Sequence, residues 1–389
     1  MRFLTAGESH GKCLVGIIEG MVANLDIKIS EINKELERRQ KGYGRGKRME
    51  IEKDRVEIIS GIRNGKTTGG PIGIIIENKD WGNWKDVMDI EKGKGKERFV
   101  PRPGHADLPG FIKYRYSDIR NVIERASARE TAMRVAIGGI CKQFLKKFDI
   151  QIYSRTIQIG KVKDETTWDD VKDKYNLIEN SEVRNCIKEK EMIEEIEKVK
   201  KIGETVGGVF EIIVEGVCPG LGSYVHWDRR LDAKISFHLM SIPAVKGINI
   251  GAGFDGIDRY GSLFHDEIYY DGKNKIYRKT NNAGGIEGGI TNGDKIIIRC
   301  ALKPIPTLKK PLSSINVKTL KENKSFYERS DTCVVPPAAV VGENIIAFLI
   351  TDEFMKKFSG DTIEEVEINY NSYLKSIEKY LSLIHISEP

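Results

Sequence analysis

Two histidines lie in glycine-bordered stretches of this sequence, and their residue type suits proton transfer near neutral pH. His10 stands in GESHG at residues 7–11, and His105 stands in RPGHAD at residues 102–107. An unperturbed imidazole titrates near about 6.5, so the pair could supply a general acid and a general base. Either histidine alone would more often be structural. Neither has the i, i+4 partner of a helical metal site, so the sequence predicts no metal.

A basic, glycine-rich stretch at residues 38–48 could bind a small, strongly negative ligand. Its sequence, RRQKGYGRGKR, holds six Lys or Arg side chains, three glycines and no acid. Guanidinium groups bind carboxylates and phosphates with paired hydrogen bonds, and glycine lets the backbone approach a ligand. We interpret the stretch as a mobile anion-binding loop, with a solvated basic face as the alternative. Its glycine spacing does not fit a dinucleotide loop, and residues 61–67 are one residue short of a P-loop.

Helices must position these groups, and two are predicted beside them. Ser30 is the expected N-cap of an amphipathic helix that Gly42 ends. A second helix is predicted from Ser127, because Ser-Ala-Arg-Glu has the pattern of a capping box. An apolar stripe then follows at Met133, Ile137, Ile140 and Phe144. The N-terminus of this second helix would suit a phosphate or carboxylate, although an ordinary capped surface helix is an equally good interpretation.

Two strands and one further helix complete the predicted framework. Residues 71–77 form an apolar run typical of a strand buried on both faces, and residues 209–217 indicate a strand with one half-wet face. Residues 187–202 predict a solvated amphipathic helix that Gly203 ends. The charged, apolar-poor segment 161–201 around that helix is expected to be a peripheral excursion.

Composition narrows the class of protein. The chain has 389 residues and a net charge of +6, which is too mild for an obligate nucleic-acid binder. Its six cysteines form no C-x-x-C pair, which favours reduced thiols in the cytoplasm over a disulfide framework. No signal peptide and no apolar run of about 18 residues is present, so we expect neither secretion nor a membrane span.

Eight ordered blocks of this sequence resemble those of the chorismate synthase family. They lie at residues 7–11, 38–49, 60–78, 102–107, 124–136, 241–254, 281–293 and 329–343. The resemblance implies an α+β fold, a β-α-β sandwich of two antiparallel sheets around a helical layer, assembled as a homotetramer. It extends over residues 1–361 as a single domain. Residues 362–389 are then expected to be a C-terminal helical tail, whose last nine residues show no recognisable element and could be an artefact.

The resemblance also implies a reaction. Family members carry out the trans-1,4 elimination of phosphate from 5-enolpyruvylshikimate 3-phosphate to give chorismate, using reduced FMN without net redox change. A substrate with two carboxylates and one phosphate explains arginine at the key positions. NADPH would enter only indirectly, for flavin reduction. Two routes to the reduced flavin stay open, one through the chain itself and one through an external flavin reductase.

Site residues follow from the matching positions. The resemblance implies that His10 protonates or orients the reduced flavin, that His105 transfers a proton near the departing phosphate, and that Asp331 assists deprotonation of the flavin. The positions matching substrate contacts are Ser9, Arg39, Arg45, Arg48, Arg102, Ser127, Arg129 and Arg329. The positions matching flavin contacts are Arg125, Ala126, Ser127, Pro243, Ala244, Gly288, Lys303, Pro304, Ile305, Pro306, Thr307 and Arg329. Ser330 and Thr332 replace the family's usual His and Pro, which puts the local loop geometry in question.

Two rival functions remain at the level of sequence. A flavin-free phosphate-ester hydrolase could use the same arginines with the histidine pair. An RNA-binding module could use the basic stretch, but only Tyr43 supplies an aromatic ring there, whereas single-stranded RNA is usually bound by several stacked rings. We therefore expect a small-molecule partner and no nucleic acid.

Overall fold

The structure is a computed structural model that describes residues 1–46, 53–271, 276–327 and 331–386, with side chains described as far as residue 380. Strands and helices follow one another in runs along it, and the strands of the two main sheets pair antiparallel, as predicted for an α+β fold. The described helices are α1 (Ile29–Gln40), α2 (Asp107–Tyr114), α3 (Arg120–Arg125), α4 (Thr131–Lys146), α5 (Trp168–Val171), α6 (Tyr175–Asn180), α7 (Glu189–Lys201), α8 (Leu231–Met240), α9 (Gly261–Phe264), α10 (Val335–Lys357) and α11 (Ile363–Ile386).

Two antiparallel sheets dominate the described strands. The first sheet has the order β1-β2-β7-β4 and the second has the order β11-β16-β10-β8-β9. The strands of the first are β1 (Arg2–Ala6), β2 (Cys13–Glu19), β4 (Val56–Ile58) and β7 (Ile72–Glu77). The strands of the second are β8 (Gln151–Ile159), β9 (Val162–Lys163), β10 (Gly208–Glu215), β11 (Val245–Ile250) and β16 (Ile296–Leu302).

The remaining described strands form small ribbons. A three-stranded ribbon has the order β3-β6-β5, and three hairpins pair β12 with β13, β14 with β15 and β17 with β18. Their bounds are β3 (Ala23–Asp26), β5 (Ile62–Arg63), β6 (Lys66–Thr68), β12 (Ile268–Tyr270), β13 (Ile276–Arg278), β14 (Ile286–Glu287), β15 (Ile290–Thr291), β17 (Ser313–Ile315) and β18 (Glu322–Lys324).

Helices α4 and α10 share one core with both main sheets. Met133 of α4 packs against Gly16 of the first sheet, so closely that a Cβ at residue 16 would lie 2.4 Å from the Met133 sulfur. Gly342 of α10 lies in the same way against Phe210 of the second sheet. The predicted stripe on α4 is confirmed, since Met133, Ile137, Ile140 and Phe144 are all at most 1% exposed. Apolar burial on this scale is the main force that holds such layers together.

The first predicted helix begins earlier than its N-cap prediction. Helix α1 starts at Ile29 with Lys28 in the cap position, so Ser30 lies inside the helix and caps nothing. The helix also includes Arg38 and Arg39, which were assigned to the mobile loop and are instead firmly packed. Local composition suggested a loop, but buried carboxylates from distant parts of the chain pair with the first of these arginines.

Only half of the predicted capping box forms at Ser127. The Ser127 hydroxyl accepts a hydrogen bond from the Arg129 amide at 3.3 Å, and it caps a short 3-10 turn that leads into α4 at Thr131. The Glu130 carboxylate does not return to the Ser127 amide. It accepts hydrogen bonds from the Thr5 hydroxyl and from Arg134, because these partners reach it from the first sheet and from the next helical turn.

The prediction that one face of the 209–217 strand is half exposed to solvent is wrong. Glu211 of β10 is 2% exposed and bound by Arg155, while Ile213 is fully buried. Trp168 of α5 and Ile178 of α6 cover Ile213, so part of the charged segment 161–201 shields this face. The amphipathic helix in that segment is confirmed as α7, with Met192 and Ile196 buried.

The C-terminal part of the chain continues as a helix. Helix α11 packs through Tyr370 against Phe148 and Phe358, with ring centroids 5.3 and 5.1 Å apart. It extends to Ile386, where the sequence showed no recognisable element. Within the described part of the chain, no helix is long and apolar enough to cross a membrane.

Candidate active site

His10 is held on two sides in the loop between β1 and β2. Its Nδ1 lies 2.9 Å from Oε2 of Glu124, and its main-chain amide donates to the same oxygen at 2.9 Å. Its ring stacks on Trp84, with centroids 3.8 Å apart and planes inclined by 20°. The neighbouring Ser9 amide donates to the main-chain oxygen of Glu124 at 3.1 Å. Loop 7–11 is therefore fixed to the end of helix α3.

Glu124 is a buried carboxylate with a cation behind it. Its side chain is fully enclosed, and Arg120 donates to Oε1 at 3.2 Å. Burial raises the pKa of Glu124, but the hydrogen bonds from His10 and the charge of Arg120 outweigh burial, so the pKa lies below the usual value. Glu124 is thus held as a carboxylate at neutral pH, and the imidazole faces a fixed negative charge.

His105 has a similar carboxylate partner. Its Nδ1 lies 2.5 Å from Oδ1 of Asp107, whose side chain is fully enclosed at the start of α2. Arg102 donates through Nε to the other Asp107 oxygen at 2.8 Å and through Nη1 to the Thr307 hydroxyl at 3.1 Å. Burial raises the pKa of Asp107, but the hydrogen bonds from His105 and Arg102 lower it well below its usual range.

Two predicted substrate arginines share one buried acid. Asp54 is 2% exposed, and its Oδ1 accepts a hydrogen bond from Arg129 at 2.6 Å while Oδ2 lies 3.6 Å from Nη1 of Arg39. Arg129 also donates through Nε to Asn78 at 2.9 Å. Arg39 donates to the Thr131 hydroxyl at 3.1 Å, which ties it to the start of α4. Both guanidinium groups are therefore preset in orientation.

Arg45 and Asp331 extend this arginine cluster. Nη1 of Arg45 donates to Oδ2 of Asp331 at 2.7 Å, and the Gly46 amide donates to Oδ1 at 2.6 Å. Burial, together with the charges of Arg129 and Arg45, lowers the pKa of Arg39 to about 10 against the opposing attraction of Asp54 and Asp331. Arg39 therefore feels two neighbouring guanidinium groups as well as two carboxylates. Among the described residues, the buried Nη1 of Arg39 has no hydrogen-bond acceptor.

Asn78 joins the arginine cluster to the His10 loop. Its amide nitrogen donates to the main-chain oxygens of Glu8 at 3.2 Å and Gly11 at 2.7 Å, while its amide oxygen accepts from Arg129. A single side chain therefore sets the position of Arg129 relative to His10. Ser127 reaches the same cluster, because its hydroxyl caps the turn that carries Arg129.

The predicted flavin residues 303–307 lie beside His105. Lys303 donates through its main-chain amide to Ala244 at 3.0 Å and through Nζ to the Gly104 oxygen at 2.5 Å. The main-chain oxygen of Ile305 accepts from the Thr205 hydroxyl at 2.7 Å. Val206, the next residue, donates to Thr332, whose own amide donates to Gly44. A continuous set of contacts therefore joins these residues to the segment that holds Asp331.

Ala244 adopts an unusual backbone conformation among these residues. Its φ is +73°, in the left-handed region that non-glycine residues rarely enter. Strain of this kind persists only where the surroundings enforce it, and it is common at ligand sites. Pro243 precedes it and Lys303 fixes its carbonyl, so the turn before β11 is rigid.

The other predicted flavin residues lie in different parts of the structure. Arg125 donates to the main-chain oxygens of Gly7 and Thr5, both at 3.2 Å, so it contacts the strand and loop that lead to His10. Ala126 packs with the apolar cluster of helices α2 and α3. Gly288 lies in the β14–β15 hairpin, which contacts helix α8 through a hydrogen bond from Leu231 to Gly289. Arg48 and Arg329 lie outside the described residues, as does Ser330.

Sequence reasoning missed four residues that shape the site. Asp54, Asn78, Trp84 and Glu124 hold the predicted arginines and His10, and none of them was selected from the sequence. Asn78 and Glu124 lay at the ends of recognised blocks, so a search for partners of His10 and Arg129 could have found them. No group of His, Cys, Asp and Glu able to hold a metal ion occurs in the described ranges.

This α+β fold holds a cluster of arginines and two carboxylate-bound histidines, an arrangement typical of an enzyme that binds a small anionic substrate. The family model for chorismate synthase matches residues 1–355. The chorismate synthase of Alkaliphilus metalliredigens is 54% identical over 377 residues, covering 96% of this chain and 99% of that protein. That of Aquifex aeolicus is 49% identical over 398 residues, covering 98% and 99%.

A solved structure agrees with these relatives. A crystal structure of chorismate synthase is 41% identical and matches with a TM-score of 0.78, covering 97% of this chain and 98% of that one. The chain belongs to the chorismate synthase family. The activity is that of chorismate synthase, a carbon–oxygen lyase of aromatic amino acid biosynthesis that acts on a small-molecule substrate.

Proposed function

We propose that the chain eliminates phosphate from 5-enolpyruvylshikimate 3-phosphate to give chorismate with the help of reduced FMN, and that the groups described above are its active site. The cluster of Arg39, Arg45 and Arg129 carries the proposal. Asp54 and Asp331 pair with these guanidinium groups, and among the described residues the buried Nη1 of Arg39 has no hydrogen-bond acceptor. A ligand with two carboxylates and a phosphate would offer an acceptor to this Nη1 and negative charge to the three cations.

The two histidines are the proposed proton-transfer groups. Each has Nδ1 on an enclosed carboxylate, Glu124 for His10 and Asp107 for His105. In the neutral imidazole this contact keeps the proton on Nδ1 and leaves Nε2 as the basic atom. Arg102 would contact the substrate beside His105, and Asp331 would act as a base beside Arg45. Ser9, Ser127, Arg48 and Arg329 complete the proposed substrate contacts.

The residues around Lys303 fit an FMN. The cation of Lys303 could bind its phosphate, and the apolar faces of Pro304, Ile305 and Pro306 could lie against its ring. The strained Ala244 gives this region a fixed backbone. When bound, reduced FMN would supply electron density that helps the phosphate leave, with no net redox change. Further flavin contacts are proposed at Arg125, Ala126, Ser127, Pro243, Gly288, Thr307 and Arg329.

The proposal also covers the architecture, the oligomeric state and the location of the protein. The contacts of α4 with the first sheet and of α10 with the second support a β-α-β sandwich, which we propose for the family part of the chain, residues 1–361. Residues 362–389 would form the attached tail. We also propose a homotetramer and a cytoplasmic location, in line with six unpaired cysteines. NADPH would enter only indirectly, for flavin reduction, either by the chain itself or by an external flavin reductase.

An anaerobic assay tests the proposed function. The enzyme is mixed with substrate and either reduced FMN, oxidised FMN or no flavin, and phosphate release and chorismate absorbance are followed together. We expect both signals in equal amounts, and only with reduced FMN. Phosphate release without flavin would overturn the proposal in favour of a phosphate-ester hydrolase. An Arg39→Leu variant that binds substrate as tightly as the wild type would overturn the proposed anion site.

A further inference from the structure

Two residues outside the proposed set of proton-transfer groups, Glu124 and Trp84, determine how His10 is held. Glu124 accepts from three points of the same loop: the Ser9 amide, the His10 amide and Nδ1 of the His10 ring. Trp84 covers the ring itself at 3.8 Å. The His10 side chain nevertheless keeps 14% of its surface exposed. The Nδ1 edge of the imidazole is therefore bound by Glu124, while part of the ring stays accessible to solvent.

The two holding residues are fastened to each other through Arg120. This guanidinium donates to Glu124 at 3.2 Å and to the main-chain oxygen of Lys96 at 2.7 Å, and it lies 5.3 Å from the Trp84 ring centroid. The Lys96 ammonium is 3.7 Å from the same ring. Such cation–π contacts attract the cations to the face of the indole ring. The segment containing Trp84 is thus attached to the same helix that supplies Glu124.

The indole ring has a hydrogen bond of its own. Nε1 of Trp84 donates to Asp80 at 3.0 Å, within a short 3-10 turn at residues 79–83. The indole is therefore restrained at its edge by Asp80 and at its face by His10 and Lys96. A ring held in this way can act as a flat support for the His10 ring that stacks on it.

We propose that Glu124 and Trp84 are positioning residues for His10. Glu124 selects Nδ1 as the anchored nitrogen, which leaves Nε2 to give up or take the proton. Trp84 fixes the plane of the ring, and so the direction in which Nε2 points. Since proton transfer depends on heavy-atom distances of about 2.6–3.2 Å, a freely turning ring would lose rate. This inference depends on the proposed role of His10.

Single variants and a double-mutant cycle test the inference. Trp84→Leu keeps apolar cover but removes the flat ring, Trp84→Phe restores a ring, and Glu124→Gln keeps the shape but removes the charge. We expect Trp84→Leu to lower kcat about three- to tenfold and Glu124→Gln at least about tenfold, with KM for the substrate nearly unchanged. Trp84→Phe should keep more than about half of wild-type kcat. Trp227→Ala, which removes a 74% exposed indole, is the control.

The same substitutions in a His10→Ala background show whether Glu124 and Trp84 act through His10 or only maintain the local fold. If both residues act through His10, adding Trp84→Leu or Glu124→Gln to His10→Ala should cost no further activity. A full additional loss in that background would overturn the inference, as would wild-type kcat in both single variants. If His10→Ala alone turns over at the wild-type rate, the proposed role of His10 itself is wrong. Thermal melting of each variant identifies any that fails to fold, and Trp84→Phe then carries the test.

Discussion

Arg38 and Arg39 are neighbours on helix α1, yet their guanidinium groups have separate partners. Arg38 donates to Glu35 at 2.6 Å, Glu179 at 2.7 Å and Glu343 at 2.9 Å, inside a buried ion network. Arg39 donates to Thr131 and faces Asp54 in the candidate active site. One turn of helix therefore carries both a stabilising cation and a proposed substrate contact.

Substitution of Arg38 should mainly affect the free energy of unfolding, whereas substitution of Arg39 should mainly affect substrate binding. Arg38→Leu removes one buried cation from three carboxylates, which keep Lys142 and Arg184 as partners, so we expect the free energy of unfolding to fall by about 3–5 kcal/mol. Arg39→Leu should raise KM for the substrate about tenfold to a hundredfold, as loss of a charged hydrogen bond does. Urea unfolding and steady-state kinetics measure the two effects. Equal effects of both substitutions on KM would contradict the division.

The buried network should weaken in acid. Burial raises the pKa of Glu35, but the charges of Lys142 and Arg38 outweigh burial and lower the pKa to about 2, below the 4.5 of an unperturbed glutamate. A carboxyl whose pKa is depressed on folding stabilises the protein above its unfolded pKa, and this contribution is lost as pH falls through the folded pKa. The stability gap between wild type and Glu35→Gln should therefore shrink from pH 4.5 toward pH 2.

Urea unfolding at several pH values measures that gap, and the same helix offers a control. Glu31 is exposed in the first turn of α1, so Glu31→Gln should show a small difference from wild type at every pH. A Glu35→Gln variant that is as destabilised at pH 3 as at pH 7 would contradict the proposed electrostatic role, and would point to packing instead.

The proposed proton-transfer roles predict large kinetic losses. His10→Ala and His105→Ala should each lower kcat by about a hundredfold or more, because each removes a proton-transfer group. FMN binding, followed by flavin fluorescence, should stay largely intact. His226 is a matched control, since its Nδ1 lies 2.7 Å from Asp228 in the same kind of pair but on the surface. Wild-type rates in either site variant would show that histidine to be structural.

The partners of Arg38 and His10 show how far the structure could be predicted from the sequence. The apolar stripe of α4 and the strand 71–77 were predictable because the pattern lies within a few consecutive residues. The buried partner of Arg38 was not, since Glu343 is 305 residues away along the chain. Glu124 was missed for the same reason, being 114 residues from His10. Recognised motifs predicted the residues of the site, whereas the acids that orient His10 and Arg129 became visible only in the fold.

Removal of the Asp54 carboxylate should make the stability of the protein depend on anions that bind the arginine cluster. Asp54→Asn leaves Arg39 and Arg129 as buried like charges, so we expect a loss of about 3 kcal/mol in the free energy of unfolding. Inorganic phosphate should restore more of the melting temperature in this variant than in wild type, because a bound anion stabilises the folded state. Asp26→Asn, at an exposed ion pair with Lys66, is the control. Equal phosphate shifts in all three proteins would contradict the prediction.

The close contact of helices α4 and α10 at Gly138 gives the last prediction. Alanine inside a helix usually stabilises by about 0.5–1 kcal/mol relative to glycine. Here a Cβ would lie 2.4 Å from both the Cβ and the main-chain oxygen of Asn344, so the helices would have to move apart. We therefore expect Gly138→Ala to lower the free energy of unfolding by about 1–3 kcal/mol.

Because α4 begins at Thr131, which binds Arg39, a shift of this helix should also raise KM for the substrate. Urea unfolding and kinetics of Gly138→Ala test both effects. Gly261→Ala is the control, since the nearest atom to its Cβ would be 3.8 Å away. A stabilised Gly138→Ala protein would show that the two helices have room between them. An unchanged KM in a destabilised one would show that Arg39 is held independently of the helix packing.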